Sequence, residues 1–149
     1  KKALELLPNY HDASKYMGLA YLRKDDFVEA EKYMYAAKKM SSNSDALQVL
    51  SSEYVVRASK AFHNNETDKA ISFCEKAIQI NPQNAEAYYN MGGYYMTRQN
   101  IDKTREYWRK AVQINPNYQE AKDWLNKIGG CLNFSLQPSD IMPSSINFY

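Results

Sequence analysis

The side chains best suited to metal binding or redox chemistry in this sequence are Cys74, Cys131, His11 and His63. Such chemistry needs two or more of these residues at close spacing, as in a CxxC motif or in histidines one helical turn apart. None of the four has a neighbour of this kind along the chain. Cys74 lies among apolar residues at helical spacing, which favours a small core residue. We therefore expect neither a metal site nor a cofactor.

The sequence also lacks the spacing patterns that are typical of enzymes. It contains neither a Gly-rich phosphate loop nor a nucleophile elbow. The pair Gly92-Gly93 lies within an apolar stripe of helical spacing, where small residues permit close helix packing. The carboxylates Glu29, Glu31 and Asp68 fall on predicted outer faces, where an acidic side chain is ordinarily solvated. The sequence therefore predicts a protein without catalytic activity.

The composition favours a single domain of packed helices. The chain has 149 residues, 13% of them aromatic, and its 5 Gly and 5 Pro are too few for a fold rich in turns. The net charge is +2 without a basic stripe, which argues against nucleic acid as a partner. No apolar run could cross a bilayer and no signal peptide is visible, so we expect no membrane insertion. The chain starts without Met and inside a helical pattern, which indicates a piece of a longer protein; the compartment stays open, with the cytoplasm slightly favoured.

A phrase that occurs twice gives the main structural signal. Residues 77–87 read AIQINPQNAEA and residues 111–121 read AVQINPNYQEA, so that Pro82 and Pro116 are 34 residues apart. A constant period of this size is typical of stacked helical repeats. Between the two phrases lie two apolar stripes at helical spacing, one for each of two helices: Tyr88, Met91, Gly92 and Tyr95, then Thr104, Trp108 and Ala111.

This order of residues, aromatic, Leu-like, Gly and Tyr followed by small, aromatic, Ala and Pro, resembles the tetratricopeptide-repeat family. The resemblance implies an all-α fold, a right-handed solenoid of antiparallel helix pairs. In the clearest repeat, Trp108 should be largely buried between the two helices, and Asn100 should cap the second helix. Polar turns should join the helices of each pair, and Asn65 is suited to a left-handed backbone conformation in one of them.

The period divides the chain into six segments. They are the second helix of a truncated preceding repeat at residues 1–10, a first repeat at residues 11–44, a second at residues 45–84, a third at residues 85–118, a capping helix at residues 119–130 and a non-helical tail at residues 131–149. The capping helix carries Ala121, Leu125 and Ile128 on one face, and Gly129-Gly130 is expected to stop it.

The second repeat is longer than the period by six residues. Neither Pro nor Gly occurs between Asp45 and Phe62, and one apolar stripe continues through this stretch. We therefore predict an extended first helix, continuous from Asp45 to about Asn64 and about two turns longer than the first helices of the other repeats. Arg57 stands where the family has Leu, so this repeat is the least regular.

In the family that this chain resembles, the first helices of successive repeats line a concave groove that binds peptides. The resemblance implies that the partner-binding groove consists of Lys15, Leu19, Leu22, Arg23, Val55, Ser59, Phe62, His63, Tyr89, Asn90, Met96 and Thr97. Gly93, Asp123 and Lys127 would add to it. The alternative for some of these residues is that they pack between helices.

One group within the family grips the C-terminal carboxylate of its ligand with lysine and asparagine side chains. Lys15 and Asn90 occupy two of those places, but Leu19, Val56 and Glu86 occupy others. The resemblance therefore does not support a carboxylate clamp. The apolar members of the predicted groove favour a partly apolar peptide or protein segment as the partner.

The tail at residues 131–149 has one charge, Asp140, and no helical or strand period. We expect it to dock on a helical surface through Phe134, Leu136, Ile141 and Phe148, either in a groove, its own or that of a second copy, or along the outer helices. Docking on a second copy would produce self-association. The alternative to a binding module is a structural scaffold that assembles by end-to-end stacking or by exchange of tails.

Overall fold

Helices account for nearly all of the chain that the structure describes. The computed structural model describes residues 11–42 and 44–130, and these ranges contain seven α-helices and no β-strand. The helices are α1 (His11–Arg23), α2 (Phe27–Met40), α3 (Ala46–His63), α4 (Thr67–Ile80), α5 (Ala85–Thr97), α6 (Ile101–Ile114) and α7 (Gln119–Gly130). The predicted all-α class is confirmed.

The chain divides into two compact units, and the boundary follows Glu53, inside α3. In the first unit α1 packs against α2. Gly18 of α1 faces the side chain of Met34, which is fully buried. The rings of Tyr21 and Tyr33 stack with their centroids 5.4 Å apart. A small residue on one helix and a large one on the other thus hold this pair together.

The second unit, from residue 54 onward, has two apolar cores. One is formed by α3, α4 and α5 and includes Ala58, Cys74 and Met91. The other is formed by α5, α6 and α7 and includes Trp108 and Trp124, whose ring centroids are 5.9 Å apart. Cys74 is fully buried, and burial raises the pKa of its thiol. It is a neutral core residue, as the sequence predicted.

The turn between the helices of a pair has the same conformation three times. Asp25, Asn65 and Gln99 have φ values of 65°, 62° and 58°, in the left-handed region. In each turn the next residue donates its backbone N–H to the carbonyl five residues earlier, at 2.9–3.0 Å, which satisfies the helix end. The left-handed conformation predicted for Asn65 is confirmed. The first two turns are 40 residues apart and the last two 34, so the six extra residues lie between the first and second turns.

Three helices begin with a side-chain cap. Asp26, Asn84 and Asn100 each accept the backbone N–H of the residue three positions later, at 3.1–3.2 Å. A cap of this kind satisfies an N–H group that has no partner inside the helix. The cap predicted for Asn100 is confirmed. Glu66 precedes α4 without a side-chain cap.

The long helix α3 has 18 residues, whereas α1 and α5 have 13 each. It is continuous, as predicted, but the difference of five residues falls short of the two turns expected. The guanidinium of Arg57 lies 5.8 Å from the ring centroid of Phe73 on α4. Stacking on an aromatic ring explains how arginine is accommodated where the family has leucine.

Trp108 of α6 lies directly against Gly92 of α5. Trp108 is 3% exposed, which confirms its predicted burial. Its indole N–H donates to the carbonyl oxygen of Tyr89 at 2.9 Å. The hydroxyl of Thr104 donates to the carbonyl oxygen of Gly92 at 3.1 Å. A Cβ atom at position 92 would overlap the indole, with Cγ of the ring only 2.9 Å away. The crossing therefore requires glycine.

The last helix, α7, covers the second core with one apolar face. Ala121, Trp124 and Ile128 are buried there, and Leu125 is half-buried against the same core. Trp124 was not among the residues predicted for this face. Gly129 and Gly130 are the last residues of α7, whose described bounds agree with the capping helix expected at residues 119–130. Glycine lowers helix stability without removing backbone hydrogen bonds.

Two predicted segments lie outside the described residues. They are the helix of a preceding repeat at residues 1–10 and the tail at residues 131–149, with its four docking anchors.

Gly92→Ala should destabilise the protein, whereas Gly18→Ala should be tolerated. Alanine gains about 1 kcal/mol of helix propensity over glycine at either position. At position 92 the new methyl group meets the rigid indole of Trp108, and overpacking of this kind costs about 1–3 kcal/mol or more. At position 18 it meets the flexible side chain of Met34. Urea unfolding of both variants measures the difference, and equal free energies of unfolding would contradict the packing described for Gly92.

Candidate functional site

Four polar residues lie in a line along α5, where Glu86 is exposed, Thr97 is half-buried, and Asn90 and Tyr94 are buried. Glu86, Asn90, Tyr94 and Thr97 follow one another at spacings of four, four and three residues, which places them on one side of the helix. We call these four residues the α5 stripe. The ring of Phe62, near the end of α3, stacks on the ring of Tyr94 with centroids 4.7 Å apart. The end of α3 and the α5 stripe therefore form one surface.

Asn90 has an unsatisfied amide at the centre of this surface. The residue is 2% exposed, and its Nδ2 atom has no hydrogen-bond partner among the described residues. The Ser59 hydroxyl, on a residue 5% exposed, is also buried without such a bond. A buried polar group left unpaired costs about 1–3 kcal/mol, so that its presence in a folded protein needs an explanation.

Tyr94 stays a neutral phenol in this surface. Burial raises its pKa, and the nearby Cys74 raises it further. The nearby Ser59 hydroxyl acts in the opposite direction and lowers the pKa of Tyr94. The Glu86 carboxylate adds a further rise. Tyr94 can therefore donate a proton to a hydrogen bond over the whole physiological pH range.

Glu86 stands at the start of the α5 stripe, in the first turn of the helix. A carboxylate at this place is normally stabilised by the positive end of the helix dipole, which lowers its pKa. Here the pKa is raised, because burial of the carboxyl removes part of its hydration. The residue as a whole is nevertheless exposed, so that an external group can reach it. No described residue forms an ion pair with it.

Some predicted groove residues of the second unit lie in its cores. Tyr89 and Met96 belong to the core around Trp108, and the ring of Tyr89 lies 5.0 Å from that of Tyr118. Val55 is 1% exposed. These side chains have little surface to offer a partner, which is the alternative that the sequence analysis left open.

Other predicted residues of this unit are accessible. Phe62 and Thr97 are half-buried and His63 is exposed. The Thr97 hydroxyl donates to the carbonyl oxygen of Tyr94 at 2.7 Å, and Nδ1 of His63 lies 2.7 Å from the carbonyl oxygen of Ser59. Phe62, His63 and Thr97 are thus the accessible members of the predicted set in this unit, whereas Ser59 and Asn90 are buried.

The remaining predicted residues lie on α1 and α7. In the first unit, Lys15 forms an ion pair of 2.5 Å with Asp45, while Leu19 and Leu22 are half-buried and Arg23 is exposed. Gly93 of α5 is buried. On α7, Asp123 accepts a hydrogen bond from Gln119 at 2.8 Å, and the ammonium of Lys127 lies 4.4 Å from the ring centroid of Trp124.

Sequence reasoning missed two functional candidates on α5. It named Glu86 only as a departure from the carboxylate clamp, and it did not name Tyr94. The signal that could have found them is their spacing of four residues on either side of Asn90.

Neither a metal cluster nor a membrane-spanning helix occurs in the described part of the chain. In residues 11–42 and 44–130 no three His, Cys, Asp or Glu side chains lie together in a way that could hold a metal ion. None of the described helices combines the length and the apolar character needed to cross a membrane.

Two models of the tetratricopeptide repeat match this chain, one over residues 85–118 and the other over residues 54–84. Residues 54–118 of the chain therefore contain two tetratricopeptide repeats. The family consists in general of non-catalytic modules that bind proteins or peptides. No curated protein matches this tetratricopeptide-repeat chain significantly. A solved structure entitled "Crystal structure of MamA" is similar over 87% of this chain and 73% of its own, with 24% sequence identity and a TM-score of 0.49.

Replacing Asn90 by leucine should stabilise the protein. Leucine has a similar shape and removes the unpaired amide, so the free energy of unfolding should rise by about 1 kcal/mol or more. Urea unfolding of Asn90→Leu measures this, with Asn126→Leu on the exposed side of α7 as the control. A loss of stability in Asn90→Leu would show that the amide has a partner and would contradict the description of this surface.

Proposed function

We propose that this chain binds an extended, partly apolar segment of another protein along the α5 stripe and the end of α3. The observation that carries the proposal is the buried, unpaired amide of Asn90 on the α5 stripe, together with the buried hydroxyl of Ser59 on α3. Proteins retain such groups where a ligand supplies the missing hydrogen bond, and they accept a loss of stability in return.

The chemistry of an extended peptide matches this surface. Its backbone offers a carbonyl acceptor and an N–H donor at every residue. Nδ2 of Asn90 can donate to such a carbonyl, and Oδ1 of the same amide can accept from an N–H. Both Asn90 and Ser59 have short side chains, which can turn between staggered rotamers towards a ligand. This supports backbone recognition of a segment without a fixed secondary structure.

An apolar contact would lie beside the polar one. Phe62 stacks on Tyr94 and is half-buried, so that part of its side chain is accessible. Aromatic rings at the edge of a polar groove are frequent anchors in protein interfaces. An aliphatic or aromatic side chain of the partner would pack there. Lys15, Leu19, Leu22 and Arg23 lie on α1 of the first unit, and their part in binding stays a prediction for that unit.

Selection of short random peptides against the whole chain tests the proposal. Peptides enriched on the wild-type chain should bind Phe62→Ala and Asn90→Leu about tenfold more weakly, the loss expected for an interface anchor or a backbone hydrogen bond. Arg109→Ala, at an exposed position of α6, is the control and should bind as the wild type does. Circular dichroism establishes that each variant is folded. Equal affinity of all four proteins, or the absence of any enriched peptide, would contradict peptide binding at this surface.

A self-assembling scaffold is the second candidate function. The first unit exposes several large apolar side chains, among them Tyr16 (69%), Val28 (79%) and Tyr35 (45%). Val28 and Tyr35 are seven residues apart on α2 and therefore share one face of that helix. Exposed apolar patches of this kind mark interaction surfaces.

Light scattering over a concentration series tests self-assembly. A scaffold should show a mass that rises with concentration, and Val28→Glu combined with Tyr35→Glu should return it to the monomer value because two charges would enter the contact. A monomer mass at every concentration would contradict the scaffold and leave the binding module.

A further inference from the structure

Glu86 is an exposed acidic residue that lacks the lysine or arginine partner found for several other acidic residues. Elsewhere on the described surface, Asp45 pairs with Lys15 and Glu106 pairs with Lys110 at 3.2 Å. No described lysine or arginine pairs with Glu86. The oxygens of this carboxylate, at the start of the α5 stripe, can therefore accept hydrogen bonds from an external cation.

The groups around Glu86 do not neutralise it. Its charge acts on the neutral Cys74 thiol and on the neutral phenols of Tyr94 and Tyr118, and none of these is a cation. Partial burial has already removed some of the water around the carboxyl. A cation that reaches it consequently meets a stronger field than it would at a fully hydrated carboxylate.

Glu86 is also placed in register with the amide of Asn90. Residues four apart on a helix are separated by about 6 Å along its axis. In an extended segment, residues that point to the same side are about 7 Å apart. A segment whose backbone pairs with Asn90 would therefore bring the side chain two positions away close to Glu86. The buried, unpaired amide is a second and independent feature of the same surface that points to a ligand.

We infer that the bound segment carries a lysine or arginine, and that Glu86 holds this side chain while Asn90 pairs with the neighbouring backbone. The inference rests on the proposed function, whose ligand class it specifies. A protonated amine or guanidinium donates charge-assisted hydrogen bonds to the carboxylate. The same carboxylate repels an acidic side chain or a free C-terminal carboxylate at this position. The favoured ligand is thus an internal, basic and partly apolar segment.

Two peptide mixtures, blocked at both ends, test the inference on the whole chain. They are identical except for a central position, which is lysine in one mixture and aspartate in the other; the remaining positions vary among uncharged residues. The wild-type chain should bind the lysine mixture about tenfold more tightly. The net free energy of a hydrogen bond to a charged group exceeds that of a neutral hydrogen bond by an amount that corresponds to about this factor. Glu86→Gln should remove the preference while binding persists, and Glu86→Lys should reverse it.

The matched control is Glu120→Gln, which changes an exposed glutamate in the first turn of α7. It should keep the preference for lysine. Equal binding of both mixtures to the wild type, or a lysine preference that survives in Glu86→Gln, would overturn the role of Glu86 while peptide binding itself stands. Failure of both mixtures to bind the wild type would overturn the inference together with the proposed function.

Discussion

The contact between the Trp108 indole and the backbone of Gly92 is the constraint on which the second unit depends. The indole occupies the space where any other residue would have a Cβ atom, and its N–H is bound to the Tyr89 carbonyl at 2.9 Å. The two helices are therefore held in close contact at this point. Tyr89 and Met91 face the two cores, and within the α5 stripe Tyr94 belongs to the core around Cys74, whereas Glu86 stays exposed.

The two sides of α5 differ in how completely their polar groups are satisfied. On the side towards α6, the Trp108 N–H and the Thr104 hydroxyl both have acceptors. On the stripe, the Asn90 amide is unpaired and the Glu86 carboxylate has no described cation. Because these bonds fasten α5 to α6, the proposed ligand would meet the unsatisfied groups of the stripe already in position. Preorganisation of this kind lowers the entropy lost on binding.

Most of the fold could be predicted from the sequence, because it depends on local rules. The 34-residue period predicts the helix pairs, the absence of Pro and Gly predicts an unbroken α3, and Asn65 and Asn100 fit the turn and the cap that they form. The site was less predictable. Helical spacing shows which residues share a face, but the size of side chains on neighbouring helices decides how deeply each is covered. Tyr89 and Val55 were therefore expected on the surface and lie buried.

Heteronuclear NMR of the isotopically labelled chain, titrated with the lysine-containing peptide mixture, tests the central claim most directly. The claim is that the α5 stripe is where a partner segment binds. The side-chain amide signal of Asn90 should move progressively, together with the backbone signals of Glu86 and Phe62, because a new hydrogen bond and a new charge arise beside them. Signals that move only on the exposed side of α6, around Arg109, while the Asn90 amide stays unchanged at saturation, would contradict the account.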